Sequence, residues 1–242
     1  PEVVGVEMTY RTSLLLACLL MPAAALEAAA RQPAPRTSAA PAGVLDQRRM
    51  QPISGDAQAG AGKAAVCAAC HGAQGVAIAP NFPNLAGQSA SYLYAQLREF
   101  HDGRRNDPVM SGQAAALSDV DMRNLASYYA SLAPKPAGQA GASSRGAQLY
   151  LVGDPAQGIP PCQGCHGPAG LGPQPHPSSA PQPPWATFPH LRGQSGLYLT
   201  KQLGDFKRGV RAGSSNAKVM HGVAQTLSDD DVQALTTYLS TW

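Results

Sequence analysis

Two distant stretches of the chain share one apolar rhythm. Leu93, Leu97 and Phe100 fall at spacings of four and three, and so do Leu199, Leu203 and Phe206. That spacing puts each set on one face of a helix. Ser118 with Asp121, and Ser228 with Asp231, read as N-caps carrying an acid in the first turn. They predict closing helices from Asp119 to Leu132 and from Asp229 to about Ser240. Shorter helices are predicted from Ala57 to Val66 and from Ser144 to Tyr150, each leading toward a pair of cysteines. The segments between are rich in Gly and Pro, so the expected class is all-α.

The rhythm recurs because the segment does. Gly60 to Leu132 matches Gly146 to Leu239 in an order that never changes. Cys67-Ala-Ala-Cys70-His71-Gly72 is answered by Cys162-Gln-Gly-Cys165-His166-Gly167, and Phe82-Pro-Asn-Leu-Ala-Gly-Gln88 by Phe188-Pro-His-Leu-Arg-Gly-Gln194. Tyr92, Gln96 and Phe100 correspond to Tyr198, Gln202 and Phe206, and Met110 to Met220. Ordered matches on this scale mark a duplicated domain. The boundaries read as 54–133 for the first domain and 144–242 for the second. A Pro/Gly/Ser-rich linker over 134–143 joins them, and a flexible arm over 31–53 precedes both.

Composition changes the picture at the N-terminus. Arg11, the apolar run Leu14 to Leu26 and small residues through Ala30 read as a signal peptide preceded by upstream residues, together 1–30. The expected location is therefore the periplasm, reached by export. Cys18 has a faint likeness to a lipidation site, but the apolar run continues past it and favours an ordinary signal residue. Removing 1–30 takes away one Arg and three Glu and raises the formal charge from +3 to +5. Its Lys and Arg are scattered, which excludes nucleic acid as a partner and leaves only peripheral contact with membrane complexes. Aromatic residues make up only 6% of the chain, so two small domains need apolar mass from elsewhere, and a large buried cofactor would supply it.

The cysteines supply the chemistry. Four remain in the mature chain, and an exported protein with an even count ordinarily suggests disulfides. Here each i, i+3 pair is followed at once by His. Cysteines so spaced can form thioethers with both vinyl groups of one haem, with the adjacent His beneath the iron. Cys67, Cys70, Cys162 and Cys165 are thus the expected covalent attachment points of two haem c groups, and His71 and His166 the axial ligands. A zinc site or a redox dithiol can contain the same letters. Against zinc, 91 residues lie between Cys70 and Cys162 and each pair heads its own complete repeat. Against a dithiol, the β-α-β context is missing.

A sixth iron ligand should occupy the same place in both copies. Met110 and Met220 do, each seven residues before a Leu-Ser-Asp, in what reads as a polar, Gly-containing loop. Core filling is the ordinary use of Met, but such loops are a poor place for it. His221 directly follows Met220 and is a rival ligand for the second iron, but Ser111 in the equivalent place of the first copy argues against it. His101, His176 and His190 read as surface or incidental residues. Candidates to accompany the haem propionates are Gln88, Tyr92, Gln96 and Arg105, with Gln194, Tyr198, Gln202 and Arg211, against the plain reading of a solvated helix face.

With these motifs in place the chain resembles the cytochrome c4 family, from about Asp56 to Trp242. The resemblance implies two tandem class I cytochrome c domains, each with a His/Met haem, packed with their propionate edges close. It implies an electron carrier, not an enzyme, running from the quinol-oxidising complex to a terminal oxidase, notably of the cbb3 type. The alternative is the cytochrome electron-acceptor subunit of a periplasmic flavoprotein or quinoprotein dehydrogenase. A di-haem peroxidase would need an open iron position, which two filled axial sites deny. The second copy departs from the first by a Pro-rich insertion, Gly172 to Pro184.

Overall fold

The computed structural model describes residues 43–136, 138, 141, 143–173 and 183–242. The expected signal segment, the arm as far as residue 42, most of the Pro-rich insertion and His176 lie outside the described residues.

The first repeat contains α1 (Ala57–Lys63), α2 (Ala68–His71), α3 (Ala90–His101), α4 (Met110–Ala115) and α5 (Asp119–Ser131). The second contains α6 (Arg145–Leu151), α7 (Gln163–His166), α8 (Gly196–Lys207), α9 (Ser215–Gln225) and α10 (Asp229–Ser240). Among the described residues the β content is limited to two isolated bridges, Leu45 with Ser214 and Asp154 with Ile159. The all-α expectation holds.

Short polar side chains set the helix starts. Ser118 and Ser228 each accept from the backbone N–H three residues on, while the Asp121 and Asp231 carboxylates reach back to the cap N–H, forming capping boxes. Asp56, Ser89, Ser144, Ser195 and Ser214 cap α1, α3, α6, α8 and α9. Two helices contradict the loop reading of the methionines. Met110 opens α4, where the Asp107 carboxylate accepts from the backbone N–H groups of Val109 and Met110. Met220 lies within α9, which Ser214 starts. Pro108 ahead of Met110, and Gly213 and Gly222 on either side of Met220, disguise the two helices in the sequence.

Within each repeat the first helix crosses the last, α1 against α5 and α6 against α10, and the long middle helix packs on the last as well. Close crossing depends on glycine. A Cβ on Gly60 would run into the Asn124 carbonyl oxygen, and one on Gly146 into that of Ala234. Leu93, Met122, Leu125, Ala126 and Tyr129 make the first core. Leu149, Tyr150, Leu199, Leu235, Tyr238, Leu239 and Trp242 make the second, where Tyr150, Tyr238 and Trp242 contact one another through their rings. Arg145 adds a fixed charge link by pairing with Asp154 and Asp231.

Residues 43–53, expected within a free arm, make specific bonds. Leu45 exchanges backbone hydrogen bonds with Gly213 and Ser215, and the buried Gln47 amide donates to Glu99 at 3.1 Å. Met50 and Ile53 pack on the first core.

Candidate functional site

Each Cys-X-X-Cys-His stretch forms one helical turn, with Cys67 and Cys162 as the residues preceding α2 and α7. None of these four cysteines is joined in a disulfide. Burial pushes the Cys67 and Cys165 thiols up and takes Cys162 to about 11. A redox dithiol needs the reverse, a lowered thiol pKa. Zinc is not favoured either, since no group of three or more metal-ligating side chains occurs among the described residues.

The two histidines are held alike. His71 Nδ1 lies 2.9 Å from the Pro83 carbonyl oxygen, and His166 Nδ1 lies 3.0 Å from that of Pro189. A ring bonded through Nδ1–H to a carbonyl presents Nε2 to a metal, in fixed tautomer and orientation. Both rings are buried, and burial lowers their pKa, which favours the neutral, ligating form. Phe82 and Phe188 stand beside them at ring-centroid distances of 6.2 and 6.4 Å. Met110 and Met220 are half-buried, the latter against the Phe206, Ala217 and Ala224 cluster. His221 turns Nδ1 to the Phe206 carbonyl oxygen at 2.6 Å, tying α9 to the end of α8. His101 pairs with Asp102 at the surface.

The eight residues considered for propionates come together at the seam between the repeats, five of them buried instead of on a solvated face. Arg105 donates to Gln96 Oε1 at 2.6 Å in its own repeat and to Gln202 Oε1 at 2.7 Å in the other. Arg211 returns the pattern, donating to Gln202 Oε1 at 2.9 Å and to Gln96 Oε1 at 2.7 Å. Each guanidinium also sits 4.4 Å from a ring centroid, Phe100 for Arg105 and Phe206 for Arg211, which partly offsets its desolvation. Arg211 further bonds the Tyr92 hydroxyl at 3.0 Å. Burial pushes that hydroxyl's pKa up, but the Arg211 and Arg105 charges outweigh it and hold it below the usual tyrosine range. For Arg105, burial pulls the pKa down and is outweighed by Tyr198, Tyr92 and Glu99.

Gln88 and Gln194 complete the exchange. The Gln88 amide bonds both backbone groups of His190, and the Gln194 amide both backbone groups of Asn84. Asn84 Nδ2 contacts the Gly193 carbonyl oxygen, and His190 Nδ1 lies 2.8 Å from that of Gly87. His190 is therefore part of the seam and not incidental. Sequence reading missed this pairing, although identical polar residues at matching places in two repeats are what a self-complementary contact requires.

The residues present fit a covalently held haem in each repeat. Two thiols without a disulfide flank one turn, a buried imidazole beside them has Nε2 to offer, and Arg211 Nε at the seam is buried without a partner.

The sequence matches the cytochrome c family model over residues 57–133 and 143–242. It is 42% identical over 188 residues to cytochrome c4 of Pseudomonas aeruginosa, covering 77% of this chain and 88% of that protein. It is also 41% identical over 192 residues to the thiosulfate dehydrogenase electron acceptor of Stutzerimonas stutzeri, covering 76% and 82%. The crystal structure of reduced recombinant cytochrome c4 from Pseudomonas stutzeri superposes with a TM-score of 0.69 at 39% identity, over 78% of this chain and 99% of that one. The duplicated motifs, the paired domains and these likenesses agree that the chain belongs to the cytochrome c family as a di-haem cytochrome c4, an electron carrier with two covalently bound haem c groups.

Proposed function

We propose that the chain is a periplasmic shuttle that passes single electrons from the quinol-oxidising complex to a terminal oxidase, of the cbb3 type or another. Its haems are attached at Cys67/Cys70 and Cys162/Cys165, with His71/Met110 and His166/Met220 as axial pairs. The observation that carries the reading is the doubled Cys-X-X-Cys-His turn with each imidazole tied by Nδ1 to a proline carbonyl oxygen.

Bound haem supplies the one-electron iron couple. The chain's own residues do the rest. The Pro83 and Pro189 carbonyls hold the His71 and His166 rings in one tautomer, ready before the electron arrives. With His71 and Met110, or His166 and Met220, both holding a haem iron, no position would remain for a substrate, which suits a carrier and not an enzyme. Arg105, Arg211, Tyr92 and Tyr198 offer charge-assisted donors to propionates, while Gln88, Gln96, Gln194 and Gln202 fasten the two domains so that the internal hop keeps one geometry.

The second reading, a dehydrogenase's acceptor subunit, is favoured by the likeness to the thiosulfate dehydrogenase electron acceptor. Stopped-flow mixing separates the two. The reduced holoprotein should be reoxidised by oxidase-containing membranes at rates matching respiratory turnover. If membranes fail to reoxidise it while a purified thiosulfate dehydrogenase reduces it rapidly in a one-to-one complex, the shuttle proposal is wrong and the subunit reading stands.

A further inference from the structure

The seam bonds and the histidine bonds meet on the same two peptide groups. The peptide joining Pro83 to Asn84 accepts from His71 Nδ1 at its oxygen, 2.9 Å away, and donates its N–H to Gln194 Oε1, 3.0 Å away in the other repeat. The peptide joining Pro189 to His190 accepts from His166 Nδ1 at 3.0 Å and donates to Gln88 Oε1 at 2.8 Å. The second arm of each glutamine amide fixes the register, donating to the Asn84 oxygen at 2.6 Å and to the His190 oxygen at 2.9 Å. The histidines and these glutamines are each less than a tenth exposed, so water competes little for any of the bonds.

We propose that Gln194 and Gln88 are positioning residues that tune the opposite domain, Gln194 acting on His71 and Gln88 on His166 through one shared peptide each. An amide whose N–H is engaged carries more negative charge on its oxygen, and bonds in such a chain strengthen one another. The carbonyl then draws harder on Nδ1–H. The imidazole becomes more electron-rich at Nε2, which stabilises the oxidised iron and lowers that domain's potential. Each domain thus senses whether its partner is docked, and the two haems acquire a coupling that needs no direct contact between them.

The inference rests on His71 and His166 being iron ligands, and its test separates the two claims. Holoprotein is titrated spectroelectrochemically, with the two waves assigned using Met110→His and Met220→His, each of which should lower its own domain's wave and remove its thioether-to-iron band. The histidine assignment is read separately: His71→Met and His166→Met should each change the haem spectrum of their own domain alone, and if neither does, the ligand assignment fails whatever the glutamines do. With the waves assigned, Gln194→Leu should raise the first domain's potential, increasing its reduced-to-oxidised ratio at fixed ambient potential by about two- to five-fold, a size set by the modest cooperativity of hydrogen-bond chains. The second domain's wave should move less than half as much. Gln88→Leu should do the reverse, and the milder Gln194→Asn, one methylene shorter, should follow Gln194→Leu if the leucine variant does not fold. Equal movement of both waves would mean general loosening of the seam, and movement of the substituted domain's own wave, or of neither, would overturn the relay.

Discussion

Single side chains in this protein often hold two elements at once. Asp121 closes the capping box of α5 and also meets Lys63 of α1 at 3.0 Å, and the Ser118 hydroxyl and N–H, with Lys63, hold its carboxylate down at about 2. A carboxylate depressed on folding contributes stability that is present above its unfolded value and lost as pH falls through its folded one. For Asp121 that window runs from 3.8 down to about 2. Ser118→Ala removes the strongest of the bonds holding it, and should cost about 0.5–2 kcal/mol through the lost cap. It should also lift the lower end of that window toward 3.8, so that less stability is lost on acidification. Thermal melts of holoprotein at stepped pH between about 5 and 2 would show this, and superimposable pH profiles for variant and parent would refute it.

At the scale of elements, helix crossing depends on what is missing from Gly60 and Gly146. Gly60→Ala or Gly146→Ala should force α1 from α5, or α6 from α10, at about 1–3 kcal/mol each, more than any gain in helix propensity returns. Urea unfolding at equilibrium would measure it, and an unchanged midpoint would mean that the crossing can relax. Elements of this kind were legible in the chain. The Ser-X-X-Asp caps, the apolar spacing of α3 and α8 and the two Cys-X-X-Cys-His turns all depend on residues within a few positions of each other. The helices bearing Met110 and Met220 were not legible, because Asp107, which accepts from the N–H groups of Val109 and Met110, and the Ser214 cap lie within stretches whose Pro108, Gly112, Gly213 and Gly222 read as loop. Nor was the seam. Gln88, Gln96, Gln194 and Gln202 were found as a matched set, but their partners lie about a hundred residues away, with separations of 97 to 115 for the bonds they make across the repeats.

For the whole molecule, the exchange of contacts between repeats is nearly symmetric, and its departures show how the halves are held. Glu99 and Asp205 occupy matching places, yet Asp205 faces Lys201 and Arg208 near the surface while Glu99 is fully buried. The difference is made by the segment ahead of the first repeat, whose Gln47 amide donates to Glu99. Its Leu45 bonds to the start of α9, its Gln47 reaches Glu99, and its Met50 and Ile53 return to the first core, so one short segment spans both domains. A second strap forms where Ser89 Oγ donates to the Ala186 carbonyl oxygen at 3.1 Å, two residues beyond the end of the Pro-rich insertion. Glu99 Oε1 accepts only from Gln47 and Gln96, and Oε2 has no partner, so Gln47→Leu leaves a buried carboxyl group with a single donor. That should cost about 1–3 kcal/mol, the usual penalty for an unsatisfied buried polar group. The loss should fall on the contact between domains and not on either core. Hydrogen exchange should therefore quicken at Leu45 and Ser215, whose amides close the bridge to α9, while the α5 and α10 amides keep their protection. Faster exchange throughout α5 instead would place the strap's contribution inside the first domain, and the span between domains would then be incidental.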